Sequence, residues 1–124
     1  MQSYVTRPTY VAHEALYRFR LVTANADGEA ALATAVLIPV GALLEPAPSN
    51  TYASGSNVVA TPLLPGSQMR LMASAAINAG EFVKHTAAGK IAPEADVDAA
   101  TVNTVGIALE TCTTDGDVIL VVIA

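Results

Sequence analysis

Apolar and charged positions alternate from Ala15 to Leu21: Ala15, Tyr17, Phe19 and Leu21 fall on one side, Arg18 and Arg20 on the other. A period of two is the mark of a strand with one face buried. Ala24 to Gly28 then reads as a turn, with Asp27-Gly28 supplying the positive φ of a tight reversal, and Ala31 to Ile38 as the returning strand of a hairpin. Two later hairpins follow the same grammar. Glu81 to His85 and Gly89 to Ile91 flank Thr86-Ala87-Ala88, while Thr104 to Thr111 and Asp117 to Ile123 flank Cys112 to Gly116. In the last pair, Ile107, Leu109, Val118, Leu120 and Val122 are expected to alternate into the core. Glu45 to Gly55, rich in Pro and Ser, reads as a loop. Pro93 to Asn103 reads as a loop or as one short helix, with Pro93 in its first turn and Glu94, Asp96 and Asp98 near its N-terminus. The expected fold is mainly β, a small antiparallel β-sandwich or barrel of successive hairpins with at most one short helix. Residues 14–124 form a single domain, preceded by residues 1–13 as an extended arm.

A second pattern overlies the hairpins. Val40-Gly41-Ala42-Leu43-Leu44-Glu45 and Val105-Gly106-Ile107-Ala108-Leu109-Glu110 share four of six residues. Val22 precedes Gly28 by the interval at which Val83 precedes Gly89, and Gly55 with Val58-Val59 answers to Gly116 with Val118-Ile119. The offsets between the paired glycines are 61, 65 and 61 residues, as expected of a degenerate internal duplication covering about 14–62 and 76–124. The two units are expected to pack face to face around one core. Gly28, Gly80, Gly89 and Gly116 are assigned to turns, and Gly106 to a bulge or a close backbone approach.

Composition narrows the function. The chain of 124 residues is of one-domain size, 52% apolar and only 14% charged, with a formal net charge of -5. So little charge suits surfaces covered by partners. An acidic chain without a Lys/Arg cluster is not expected to bind nucleic acid. No apolar run reaches membrane-spanning length, because Ala35 to Leu44 is broken by Pro39 and Gly41, and Val118 to Ala124 is short. No basic start followed by an apolar core marks a secretory signal. Cys112 is the single cysteine and reads as a small buried residue near a strand end.

Candidate chemistry is sparse, and no catalytic residue, metal or cofactor is assigned. His13 and His85 are the two histidines, neither spaced near another ligand. Asp115 and Asp117 flank Gly116 as a solvated hairpin tip, with too few oxygen neighbours for calcium. Glu45 and Glu110, equivalent in the repeat, read as strand-end carboxylates rather than an acid-base pair. Ser54-Gly55-Ser56 and Pro65-Gly66-Ser67 lack the lysine of a phosphate loop and read as turns.

The second half carries a family resemblance. Ala76-Ile77-Asn78-Ala79-Gly80-Glu81-Phe82-Val83, Ala88-Gly89-Lys90-Ile91, Val105-Gly106-Ile107-Ala108-Leu109-Glu110 and Asp115-Gly116-Asp117-Val118-Ile119-Leu120-Val121 resemble the bacteriophage capsid cement or decoration proteins. The likeness runs from about Gly66 to Ala124, and Ile38-Pro39-Val40-Gly41-Ala42-Leu43 is similar to an element of the same family. These motifs are turn glycines and strand apolars, so they point to a fold before a chemistry. The resemblance implies a head-stabilising protein on the outer capsid surface of the virion, bound to the major capsid protein, commonly as a homotrimer, without a cofactor or an active site. Three tethered contacts would sum to durable attachment, and a ligand of the mature lattice stabilises that lattice.

Contacts to the capsid or between subunits are sought first among Tyr4, Arg7, Tyr10 and His13, since Tyr and Arg are favoured interface anchors. This arm is expected to add a strand to a neighbouring chain or to reach onto the capsid subunit, or else to form the first strand of its own sheet. Two rivals stand beside the resemblance. A carbohydrate-binding or tail-fibre-type β module would use exposed aromatics, but the chain has no Trp and 5% aromatics. A lipoyl-like carrier would need an exposed acceptor lysine, for which Lys90 is the candidate.

Overall fold

The computed structural model describes residues 9–34, 36–94 and 104–124. Twelve short strands follow one another: β1 Thr9–Val11, β2 Leu16–Tyr17, β3 Leu21–Ala24, β4 Ala30–Leu32, β5 Gly41–Ala42, β6 Thr51–Tyr52, β7 Asn57–Val59, β8 Gln68–Met72, β9 Phe82–His85, β10 Ile91–Pro93, β11 Thr104–Ala108 and β12 Val118–Ile123. Single 3-10 turns at Pro48–Asn50 and Ala87–Gly89 are the helical segments among the described residues. Every strand-to-strand ladder is antiparallel, so the mainly β, hairpin-built fold is the one the alternation predicts. Pro93, expected to open a loop or the first turn of a short helix, is instead the last residue of β10, opposite Val83, and residues 95–103 of that segment lie outside the described residues.

The pairing shows the chain to be a structural repeat, with a hydrogen-bonding scheme that recurs 61 residues on. In the second half one sheet runs β10-β9-β11-β12-β8. In the first half β4-β3-β5 and β1-β7 form separate ladders, joined where Ala42 bridges Thr61. Val22 pairs with Gly41 as Val83 pairs with Gly106. Thr9 pairs with Val59 as Arg70 pairs with Leu120. Even the isolated parallel bridges match, Ala12 to Ala30 and Ala73 to Ile91. The hexapeptide offset of 65 arises because the second half has four more residues between β10 and β11, and the first half four more between Glu45 and Gly55. Gly41 and Gly106 hold the same post: a Cβ on Gly41 would lie 2.7 Å from the Thr61 carbonyl oxygen, and one on Gly106 2.0 Å from that of Val122. Gly106 also sits at the register shift of β11, so it is both the bulge and the close approach.

Two core clusters form, rather than the one expected. Ala12, Leu16, Val22, Ala30, Leu43, Val58 and Ala60 fill the first repeat. The second is built on Leu71, Ile77, Val83, Ile91, Ile119 and Val121, and it also takes Leu21, Ala33 and Ala42 from the first repeat. That sharing locks the halves together. Gly89, at φ +72, lies so close to β3 that a Cβ would sit 2.4 Å from the Leu21 carbonyl oxygen, and its N–H donates to Ala33 O at 2.8 Å.

Several expected faces and lengths are corrected. In β12, Ile119, Val121 and Ile123 point inward, and in β11 Val105 and Ala108 do. Val118, Leu120, Val122 and Ile107 are only half-buried and Leu109 is exposed. Every side chain from Val118 to Ile123 is apolar, so alternation carried no information about which face is buried, and the bulge at Gly106 shifts the phase of β11. The expected strand Ala15 to Leu21 breaks at Arg18-Phe19, and Leu16 is buried in place of Tyr17 and Phe19. Phe19 occupies the place of Gly80: its φ is +67 against +91, and Phe19 N–H donates to Leu43 O as Gly80 N–H donates to Ala108 O. The misleading alternation comes from stacking at the rim, where the Arg18 guanidinium lies 4.5 Å over the Phe19 ring and that of Arg20 4.8 Å over Tyr17. The expected strand Ala31 to Ile38 stops at Leu32.

Candidate interaction surfaces

The segment after β4 is the most exposed apolar part of the described chain. Val36 is 83% exposed, Ile38 59%, Leu37 49% and Val40 40%. This finger is held, not loose. Thr34 Oγ1 accepts from the N–H groups of Val36 and Leu37 at 3.3 and 3.1 Å, Thr23 Oγ1 donates to Ile38 O at 3.1 Å, and Val40 N–H donates to Val22 O at 2.8 Å. A fixed backbone presenting four aliphatic side chains to solvent spends little backbone ordering entropy when they are covered, leaving only the cost of fixing their rotamers. Beside the finger is a recess of about 140 Å³, lined by Ile38, Pro39, Leu63, His85, Thr104, Val105, Ile123 and Ala124. His85 is buried with Nδ1 donating to Thr34 O at 2.6 Å, and its Nε2 has no hydrogen-bond partner among the described residues.

A second concavity, about 580 Å³, lies over the four-residue insertion of the first repeat, between Glu45 and Val59. Pro46, Pro48 and Tyr52 form much of its wall. The Tyr52 hydroxyl donates to Glu45 O, and partial burial pushes its pKa above the ordinary tyrosine range. Across the outer face of the larger sheet, Phe82, Ile107 and Val122 form a cross-strand row, with Leu109 and Leu120 beside it.

The residues singled out from sequence that fall among the described ones do not converge. Tyr4 and Arg7 lie outside the described residues. Tyr10 sits in β1 opposite Val58 and packs on the first core cluster, so the described part of the arm pairs with its own chain. His13 is exposed, with Nδ1 3.2 Å from Glu29 Oε1. Gly28, Gly80, Gly89 and Gly116 all have positive φ at reversals, +76, +91, +72 and +97. Lys90 Nζ donates to Asp115 Oδ1 at 2.8 Å and its side chain is only 20% exposed, a poor presentation for a carrier lysine. Asp117 accepts from the N–H groups of Thr113 and Thr114, closing its turn. Glu110 accepts from Leu120 N–H at 2.7 Å and Arg70 at 2.9 Å, and chiefly the backbone bond holds its carboxyl below the usual range. Glu45 is on the other repeat, on the groove wall. Among the described residues no cluster of three or more His, Cys, Asp or Glu could hold a metal, and no helix is long and apolar enough to cross a membrane. The finger escaped sequence reading because Val36-Leu37-Ile38 looks like a buried strand. The warning was Pro39, which cannot donate to a ladder.

The whole arrangement has a counterpart among solved structures. A chain described as the head fiber gp8.5 N base of bacteriophage phi29 superposes with a TM-score of 0.74, at 19% identity, over 96% of this chain and 93% of the other. The shared fold is that of a phage head-fibre base. Coverage in both directions means that the likeness spans nearly the whole of both chains and not one hairpin. At this identity the head-fibre base shares a fold with the chain, and its side-chain contacts do not transfer. No family model matches the sequence, and no curated protein does.

Proposed function

We propose that this chain is a structural protein of a bacteriophage head, a decoration or cement subunit that binds the outer surface of the assembled shell, stabilises the lattice of the major capsid protein, and does so as a homotrimer without catalysis. The observation that carries the reading is the near-complete superposition on the head-fibre base. The sequence resemblance to capsid decoration proteins, carried mainly by the second repeat, points the same way. A fold of turn glycines and strand apolars, with low charge and fixed apolar side chains in solvent, suits a role performed by contacts. Copies bound at three-fold or quasi-three-fold positions would engage several capsid subunits together, so modest interfaces add to firm attachment.

Mass spectrometry and electron cryomicroscopy of particles from the phage or prophage encoding this chain test the reading. Stoichiometric density on the outside of the head is the expected result. Absence from the head, or presence only in the tail, overturns it. In that case a glycan array, with Tyr52→Ala as control for the groove beside Glu45, tests the carbohydrate-binding alternative.

A further inference from the structure

We propose that the Val36–Val40 finger is the self-association element of this protein, seating in the recess beside Ile123 of a neighbouring copy and closing copies into a ring. The inference rests on the reading of the chain as an oligomeric head subunit and adds where the copies meet.

Size selects the occupant of the recess. At about 140 Å³ it is well below the roughly 300–1,000 Å³ of small-molecule sites, and it suits an aliphatic side chain. The finger offers such side chains in a fixed backbone, and Ile38 and Pro39 belong both to the finger and to the recess wall. Projecting and receding parts of one surface, the recess walled by polar as well as apolar side chains, therefore lie side by side, a geometry in which copies related by rotation fill one another.

Area selects a closed assembly. The four exposed finger residues amount to a little over two fully exposed side chains, or roughly 150–300 Å² of apolar surface. With the matching area on the neighbour, one finger contact removes roughly 300–600 Å², below the roughly 1,000 Å² of a specific interface. In a closed ring each subunit makes two such contacts, one through its finger and one through its recess, so removing a subunit uncovers roughly 600–1,200 Å², which reaches that threshold where one contact does not. A monomer gains nothing from the finger, because the core clusters are complete without Val36 and Leu37.

Sedimentation equilibrium of the full chain tests the proposal, using wild type, the double variant Val36→Asp/Leu37→Asp and the recess-filling Ala124→Trp. Wild type is expected to sediment as a closed oligomer. Each variant is expected to weaken association roughly 100-fold or more, with circular-dichroism melting curves confirming that the subunits are folded. A wild-type monomer at roughly 100 µM overturns the proposal. So do both variants retaining the wild-type mass, including the case where they lose binding to isolated heads and the finger therefore meets the shell. Head binding by wild type is scored separately: its failure removes the head reading while leaving a finger-dependent oligomer intact.

Discussion

Gly106→Ala is the most informative single change, because the sign of its effect depends on one contact. Gly106 is not at positive φ, so its backbone conformation does not itself demand glycine. In open space, alanine would stabilise by about 0.4–1 kcal/mol through the unfolded chain. Here the added Cβ would lie 2.0 Å from Val122 O, 2.9 Å from Val122 C and 3.1 Å from Ile123 Cα. All three are backbone atoms of β12, so no rotamer change relieves them, and β11 must move away from its partner. Overpacking costs about 1–3 kcal/mol, and each ladder hydrogen bond lost about 0.5–1.5 kcal/mol. The net loss is about 2–4 kcal/mol, a fall in Tm of roughly 8–20 °C for a domain of this size. Gly41→Ala, with its Cβ 2.7 Å from Thr61 O, should follow in the same direction with about half the effect. Urea and thermal unfolding followed by circular dichroism measure both. A Gly106→Ala protein as stable as wild type, or more so, would refute the close approach and with it the equivalence of the two glycines.

Phe19→Gly removes an aromatic ring but relieves a bulky residue at φ +67; stability is expected to change by less than about 1 kcal/mol, and a loss above about 2 kcal/mol in urea unfolding would contradict the match with Gly80. Leu71→Ala deletes a fully buried side chain of the shared core and should cost about 2–5 kcal/mol, read from the same transition. Glu110 has a folded pKa below its ordinary value of 4.5, so its stabilising contribution is full above that value and is lost as pH falls through the depressed one. Glu110→Gln should therefore flatten the acid limb of the Tm-against-pH curve below about pH 4.5, and an unchanged acid limb would count against the Leu120 and Arg70 bonds.

How much was legible in the sequence varied with what each signal measures. Hairpins came through because turn chemistry is local: Asp27-Gly28 and Asp115-Gly116-Asp117 need no knowledge of the rest of the chain. The repeat came through on Val-Gly strings, since Gly41 and Gly106 are fixed by the same carbonyl contact. Face assignments failed where both faces are apolar, as from Val118 to Ile123, because alternation cannot be read from a uniform run. Phe19 hid a reversal, since nothing in an aromatic residue announces positive φ. The exposed finger was hidden by the assumption that an aliphatic run is buried. Tyr10 and His13 share no cluster, because Tyr10 packs on the first core cluster while His13 is exposed beside Glu29.

The matched registers of the two repeats leave the folding chain with a problem of choice. β1 and β8 are the leading strands of their repeats, and each docks on the closing strand of its own repeat in the same register, Thr9 on Val59 and Arg70 on Leu120. While both closing strands stand open, either leading strand meets a template shaped for the other, so a crossed pairing is a near-native trap within one chain and a route to strand exchange between chains at high concentration. What breaks the tie is the divergence of the halves: β8 runs to five residues against three in β1, and it carries Arg70, ion-paired with Glu110, where β1 has Thr9. Synthesis helps as well, since β7 leaves the ribosome before β8, and β1 finds its partner when no competitor yet exists.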